Sequence, residues 1–281
     1  MCSSDLQIVY IVNHAEDQLL FVDINLLPAV EKLLPEFKTV KHVVAMCDRA
    51  HLPKDLKIPN LLVYEDLIAD KPGTYEWPEF DERTASSLCY TSGTTGNPKG
   101  AIRDHRNMAM LALMTCVELG LGRDDDALLV MPMCHANSLN FFTAFVNAGA
   151  AVTVFSRASF DAALCLRTMG ELSTSFTSLT PTHFMMMLDV PAAARGGAGF
   201  ERVRKLMISS APARVETKRA VMAMFPNSGL FELYGSTEAG WVTMLHPDEQ
   251  FDHLGTVGRE VVGSAPIRLL DEDGNEVPDR S

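Results

Sequence analysis

Tyr90-Thr-Ser-Gly-Thr-Thr-Gly-Asn-Pro-Lys-Gly100 gathers three glycines, four aliphatic hydroxyls and one lysine into a single short stretch. The run Ser87–Thr91 reads as a strand, and the apolar spacing of His105–Leu119 reads as a helix, so the stretch is predicted to join a strand to a helix. Gly93, Gly96 and Gly100 let the backbone approach a ligand closely and turn N–H groups toward it. Thr91, Ser92, Thr94 and Thr95 add hydroxyl donors, and Lys99 adds a positive charge. Such a loop suits phosphate. It is not a Walker A loop, because Pro98 precedes the lysine and Gly100 follows it, where that motif needs glycine before and Ser or Thr after.

Outward from this loop, short apolar or β-branched runs alternate with segments of helical period. On its N-terminal side, Leu19–Asp23 and His42–Cys47 read as strands around a helix over Asn25–Phe37. Residues 48–84 are rich in proline and charge and read as a connection with a short helix near Glu65–Ala69. On the C-terminal side, strands are predicted at Ala127–Met131, Ala151–Phe155, Ser175–Leu179, Lys205–Ser209 and Gly229–Leu233. Helices are predicted between them at Leu139–Asn147, Asp161–Met169, Thr182–Leu188 and Val215–Phe225. Strands separated by helices of this length favour parallel sheets covered on both faces, which makes the fold class α/β. Past Trp241 the helical period fades. Val261–Leu270, followed by Asp271-Glu272-Asp273-Gly274-Asn275, is read as a β-hairpin with its turn.

The chain has 281 residues, 47% of them apolar, enough to bury a core. Its 24 Lys+Arg against 36 Asp+Glu give a formal charge of −12, which argues against a general electrostatic grip on nucleic acid or on an anionic membrane. The longest apolar stretch, Phe141 to Phe155, is too short to span a bilayer, and no secretory signal is visible at the start, so a cytoplasmic protein is expected. The six cysteines (2, 47, 89, 116, 134 and 165) show neither paired nor zinc-finger spacing and are expected to be reduced and mostly buried.

Three further stretches carry chemistry: Met131-Pro-Met-Cys-His-Ala-Asn-Ser138, Ser209-Ser-Ala-Pro-Ala213 and Glu232-Leu-Tyr-Gly-Ser-Thr-Glu238. In the last, Tyr234 offers a flat face for a purine, Gly235 a tight turn, Thr237 a hydroxyl for phosphate and Glu238 a hard oxygen for a divalent cation. With the glycine loop, these stretches stand in the order found in the adenylate-forming superfamily, and the chain resembles its acyl-CoA synthetase branch over nearly its whole length.

The resemblance implies the large N-terminal domain of those enzymes: residues 1–245 as its α/β part, parallel sheets flanked by helices, and 246–281 as the start of a β-rich subdomain. It implies ATP, Mg²⁺ and CoA as cofactors and a small-molecule carboxylic acid, fatty or aromatic, as substrate, activated to an acyl-adenylate and passed to a thiol. Nucleotide binding then falls to Thr91, Ser92, Gly93, Thr94, Thr95, Gly96 and Lys99, to Ser210, Ala211 and Pro212, and to Glu232, Leu233, Tyr234, Gly235, Ser236 and Thr237. Glu232 is expected to accept from the adenine amino group. Thr91 and Glu238 are the implied Mg²⁺ ligands, and Lys99, Thr237, Glu238 and His135 the catalytic set, His135 lying beside the substrate carboxylate. Phe141, Phe142 and the methionine-rich Thr180–Leu188 are expected near the acyl pocket.

Two other readings stay open: transfer to a carrier-protein thiol, and a nucleotide-binding module without turnover. A homodimer is also open. The ribose-binding aspartate, hinge and lysine-bearing small domain of relatives match nothing here. The chain is therefore expected to be a portion of such an enzyme, binding nucleotide weakly and not completing thioester synthesis.

Overall fold

The computed structural model describes residues 5–91, 96–157, 159–195 and 200–277. The chain divides into two compact units, residues 1–103 and 104–281.

The first unit runs α1 (Asp5–His14), β1 (Leu19–Val22), α2 (Leu27–Leu33), β2 (His42–Ala45), β3 (Leu62–Val63), α3 (Tyr64–Ile68), β4 (Ala85–Thr91) and β5 (Lys99–Asp104). Parallel strands β1, β2 and β3 pair in that order, with Leu20 opposite Val43 and Val44 opposite Leu62, around a small core of Val22, Leu27, Val43, Ala45 and Ile58. The helix predicted over Asn25–Phe37 is shorter than the apolar spacing suggests. Pro28 and Pro35 each sit in the first turn of a new segment, so α2 is flanked by 3₁₀ turns at 24–26 and 34–36.

The glycine loop does not run into a helix. It joins β4 to β5, which pair as a two-stranded ribbon, and the predicted helix begins only after β5. The Ser86 hydroxyl donates to the Arg103 carbonyl at one end, and Thr91 Oγ1 lies 3.5 Å from the Lys99 carbonyl at the other, as in antiparallel strands. Gly100 makes the close pairing feasible, since a Cβ there would lie 2.7 Å from Leu88 Cδ1.

The second unit continues with α4 (His105–Leu119), β6 (Asp126–Leu129), α5 (Ala136–Asn147), β7 (Ala151–Val154), α6 (Ala162–Glu171), β8 (Phe176–Leu179), α7 (Pro181–Leu188), β9 (Lys205–Ser209), α8 (Val215–Met224), β10 (Gly229–Ser236), β11 (Gly240–Leu245) and β12 (Arg259–Glu260). Its sheet has the order β12-β11-β10-β9-β8-β6-β7. The five strands from β10 to β7 are parallel, and β11 and β12 extend the edge in antiparallel fashion. Alternation along each strand sorts the side chains. Leu128, Leu206, Ile208 and Leu230 pack under α6, α7 and α8, whereas Ala127, Leu129, Met207 and Phe231 pack under α4 and α5. This three-layer arrangement bears out the α/β class.

The antiparallel edge was not foreseen. The hairpin expected over Val261–Leu270 is confined to its tip, where Leu270 bridges Glu276 and Val277 N–H donates to Leu269 O at 2.8 Å. The turn itself is as read: the Asp271 carboxylate accepts from the backbone N–H of Asp273 and Asn275, and the Asn275 N–H first of all holds its pKa down. Among the described cysteines Cys165 alone is fully buried, and Cys134 is exposed, which corrects the expectation of mostly buried thiols. No described helix is long and apolar enough to cross a membrane.

Candidate active site

In an open parallel sheet, ligands collect outside the carboxyl ends of the strands, where neighbouring strands send their connections to opposite faces. β6 and β8 are such a pair. They are adjacent in register, yet β6 leads into α5 on one face and β8 into α7 on the other. A cavity of about 250 Å³ opens on this edge of the second unit, lined by His135, Ala136 and Asn137 after β6, by Ser209 and Ser210 at the end of β9, and by Gly235, Ser236 and Thr237 at the end of β10. Three of the motif stretches therefore meet around one space.

The local structure explains the fit. His135 is the N-cap of α5, its Nδ1 accepting from the Asn137 N–H at 3.4 Å, which leaves Nε2 to carry the ring proton. Ala136 and Asn137 in the first turn of α5 line the cavity, so the positive end of that helix dipole favours an anion there. Asn137 also stitches strand ends together: its Nδ2 donates to Ser209 Oγ at 3.0 Å, and its Oδ1 accepts from Ser178 Oγ at 3.2 Å. Ser210 has φ +70°, a left-handed conformation that costs a non-glycine residue about 1–3 kcal/mol and concentrates at ligand sites.

β10 and β11 form a hairpin whose register slips between Tyr234 and Gly235. Gly235 is required there, because a Cβ would stand 2.3 Å from the Gly240 carbonyl oxygen. Tyr234, beside this bulge, is 55% exposed. Thr237 is half-buried on the cavity wall, and Glu238 is exposed in the turn that follows. Mg²⁺ commonly takes one or two carboxylates and completes its shell with phosphate oxygens and water. The Glu238 carboxylate next to Thr237 fits a Mg²⁺ ion carried by phosphates. No cluster of three or more His, Cys, Asp or Glu side chains suited to a resident metal occurs among the described residues.

Not every candidate joins the cavity. The Glu232 side chain is turned into the core, where it pairs with Lys218 from α8, itself only 2% exposed. The expected acceptor for the adenine amino group is thus already committed to an ion pair. Leu233 lines the cavity as a largely buried apolar side chain, and Ala211 and Pro212 are exposed in the turn after β9. Met187 lies in the core under α7, Met185 and Met186 are exposed, and none of the three lines the cavity. Phe141 is buried against Trp241, and Phe142 lies at the surface.

Thr91, Gly96 and Lys99 belong to the first unit: Thr91 half-buried at the end of β4, Gly96 at φ +83°, Lys99 exposed at the start of β5. Ser92, Gly93, Thr94 and Thr95 lie outside the described residues. Within that unit Tyr90, just ahead of the loop, is held by a 2.6 Å hydrogen bond between its hydroxyl and His14 Nδ1, and His14 stacks on Tyr10. Six cavity residues were missed by sequence reasoning: Ala136, Asn137, Asn140, Ser209, Gly240 and Trp241. The first five stand within or beside the quoted motifs. Trp241 carries no motif signal of its own.

A family model described as "AMP-binding enzyme" matches residues 3–281. The chain belongs to the AMP-binding enzymes. The 3-methylmercaptopropionyl-CoA ligase of Ruegeria lacuscaerulensis is 31% identical over 283 residues, covering 97% of this chain and 52% of that protein. The medium-chain-fatty-acid–CoA ligase of Ectopseudomonas oleovorans is 28% identical, with 97% and 51% covered. The chain thus spans about half the length of the curated relatives it matches. In fold it is similar to an anthranilate CoA ligase solved with anthranoyl-AMP (TM-score 0.86, 21% identity, 98% of this chain and 50% of that one). It is similar also to a long-chain-fatty-acid–CoA ligase of Archaeoglobus fulgidus (TM-score 0.84, 19% identity, 99% and 55%). These likenesses bear out the fold of the N-terminal part of an adenylate-forming enzyme.

Proposed function

We propose that this AMP-binding enzyme takes part in ATP-dependent activation of a carboxylic acid, first to an acyl-adenylate and then to an acyl-CoA. The observation that carries this reading is the convergence of His135, Ser210 and Gly235–Thr237 on one cavity at the carboxyl edge of a parallel sheet. CoA ligases among the relatives support it. In the first step a carboxylate oxygen attacks the α-phosphorus of ATP, and the bond to pyrophosphate breaks. In the second a thiol attacks the acyl carbon, and AMP leaves. Neither step needs a protein nucleophile. The barrier to the first is largely the meeting of two anions, so donors fixed in advance at the developing charge do most of the work.

The residues divide the task as follows. Tyr234 offers its ring to adenine, Ser210–Pro212 border the nucleotide, Thr237 donates to the α-phosphate, and His135 Nε2–H faces the acid. Lys99 and the glycine loop with Thr91 hold the β- and γ-phosphates. Glu238 holds Mg²⁺, which neutralises phosphate charge when bound. Residues 1–245 form the α/β part of the domain, and 246–281 open a β-rich subdomain. CoA is preferred over a carrier-protein thiol because the curated relatives cited are CoA ligases.

Calorimetric titration of the chain with Mg·ATP tests the assignment. Lys99→Ala should weaken binding about 10- to 100-fold, the loss of a hydrogen bond to a charged partner. Glu238→Gln should abolish the dependence of affinity on Mg²⁺. Unchanged affinity and Mg²⁺ dependence in both variants would refute these roles.

A further inference from the structure

We infer that Trp241 closes the far end of the cavity and restricts the carboxylic acid to a short chain, an inference that rests on the acid-activating reading above. Trp241 is 6% exposed, lines the cavity, and packs with its ring centroid 5.0 Å from that of Phe141. Phe141 lies 4.8 Å from Phe176, which lies 5.0 Å from Phe145, and these three phenylalanines have no exposed surface. Behind Trp241 there is therefore a cluster of three tilted phenylalanine rings anchored on α5 and β8. Close-packed interiors of this kind resist added methylenes, which force side chains off their rotamers.

Size points the same way. The cavity of about 250 Å³ is smaller than the roughly 300–1,000 Å³ of sites for drug-sized ligands. Part of it, around Ser210 and Thr237, is taken by the phosphate end of the adenylate. An acid whose carboxylate meets the nucleotide beside His135 shares the remaining space with Trp241.

The chain has two tryptophans, Trp77 and Trp241. In a Trp77→Phe background, Trp241 is the sole indole and reports directly on its end of the cavity. The ligands are sulfamoyl-adenosine esters of propanoate, butanoate, hexanoate, octanoate and dodecanoate, together with the free acids. The short esters should shift the emission and saturate. Dodecanoyl should bind at least about tenfold more weakly, the lower end of what one misfit methylene costs in a shaped pocket. In Trp241→Leu and Trp241→Ala, followed by displacement of a fluorescent nucleotide, the preferred length should move upward.

Equal binding of butanoyl and dodecanoyl esters, an unchanged ladder in both Trp241 variants, or acyl ligands that leave the emission untouched would each overturn the inference. The two readings fail separately. If short free acids shift Trp241 while the sulfamoyl-adenosine group adds no affinity, the size limit stands and the nucleotide assignment falls. If all esters bind alike through their adenosine, the nucleotide assignment stands and the size limit falls.

Discussion

At the scale of single residues, the second unit turns on what Glu232 does with its charge. Period-2 alternation puts 230 and 232 on one face of β10 and 231 and 233 on the other, so Glu232 faces α8 and Lys218. A buried ion pair adds little net stability over well-packed apolar side chains, but breaking it leaves an uncompensated buried charge. Glu232→Gln should therefore cost about 3–5 kcal/mol in urea unfolding, whereas the double variant Glu232→Leu with Lys218→Met should recover most of that loss. A direct contact with adenine would show the opposite pattern: nucleotide affinity lost in Glu232→Gln at unchanged stability. The family resemblance assigned Glu232 to the ligand through its place at the head of the Glu232–Glu238 stretch. What the motif does not carry is the partner, a lysine fourteen residues earlier that only the packing of α8 on β10 brings within reach.

At the scale of elements, the β10–β11 hairpin and the cap of α7 carry the sharper expectations. Gly235→Ala should open the hairpin or shift its register, because no small adjustment relieves a Cβ 2.3 Å from a carbonyl oxygen. Loss of the protected Leu233 and Tyr234 amides in hydrogen exchange would register it, and an unchanged exchange pattern would contradict the geometry. In α7, Thr180 Oγ1 accepts from the His183 N–H, and His183 Nδ1 accepts from the Thr180 N–H at 3.4 Å, a reciprocal cap.

Burial holds the His183 pKa below its ordinary value. The unfolded chain therefore takes up a proton first as pH falls. Stability should decline as pH drops below about 6.5 and level off once pH passes the folded value. Melting temperatures at pH 8 and pH 5.5 should differ more for wild type than for His183→Gln. An equal difference would remove His183 from the pH response. Elements with strong local signals were legible: α4 begins at its Asp104 cap and ends at Gly120, and β9 falls on its β-branched and apolar run. Where pairing rather than periodicity decides, as for β5 and β11, the sequence carries little signal. Gly100 in β5 and Gly235 in β10, opposite Gly240 of β11, mark these pairings through the neighbours they accommodate, and neighbours become visible only in three dimensions.

At the scale of the whole molecule, the order of strands places the candidate cavity, and three of the four motif stretches line it. A chain that crosses from one face of its sheet to the other between β6 and β8 leaves a crevice at the carboxyl edge, and His135, Ser210 and Thr237 stand on the segments that leave β6, β9 and β10. This much of the site was legible, because motif residues sit where predicted strands end. The aromatic wall was not, since Trp241 acquires its place only through Phe141 on α5 and Phe176 on β8.

The measurement that bears most directly on the central claim is a crystal structure of the chain with a hydrolysis-resistant acyl-sulfamoyl adenosine. The expected density has adenine against the Tyr234 ring, the sulfamoyl group at Thr237 and His135, and the acyl group ending on Trp241. A ligand lying more than about 10 Å from His135 and Thr237, well beyond side-chain contact range, would contradict it.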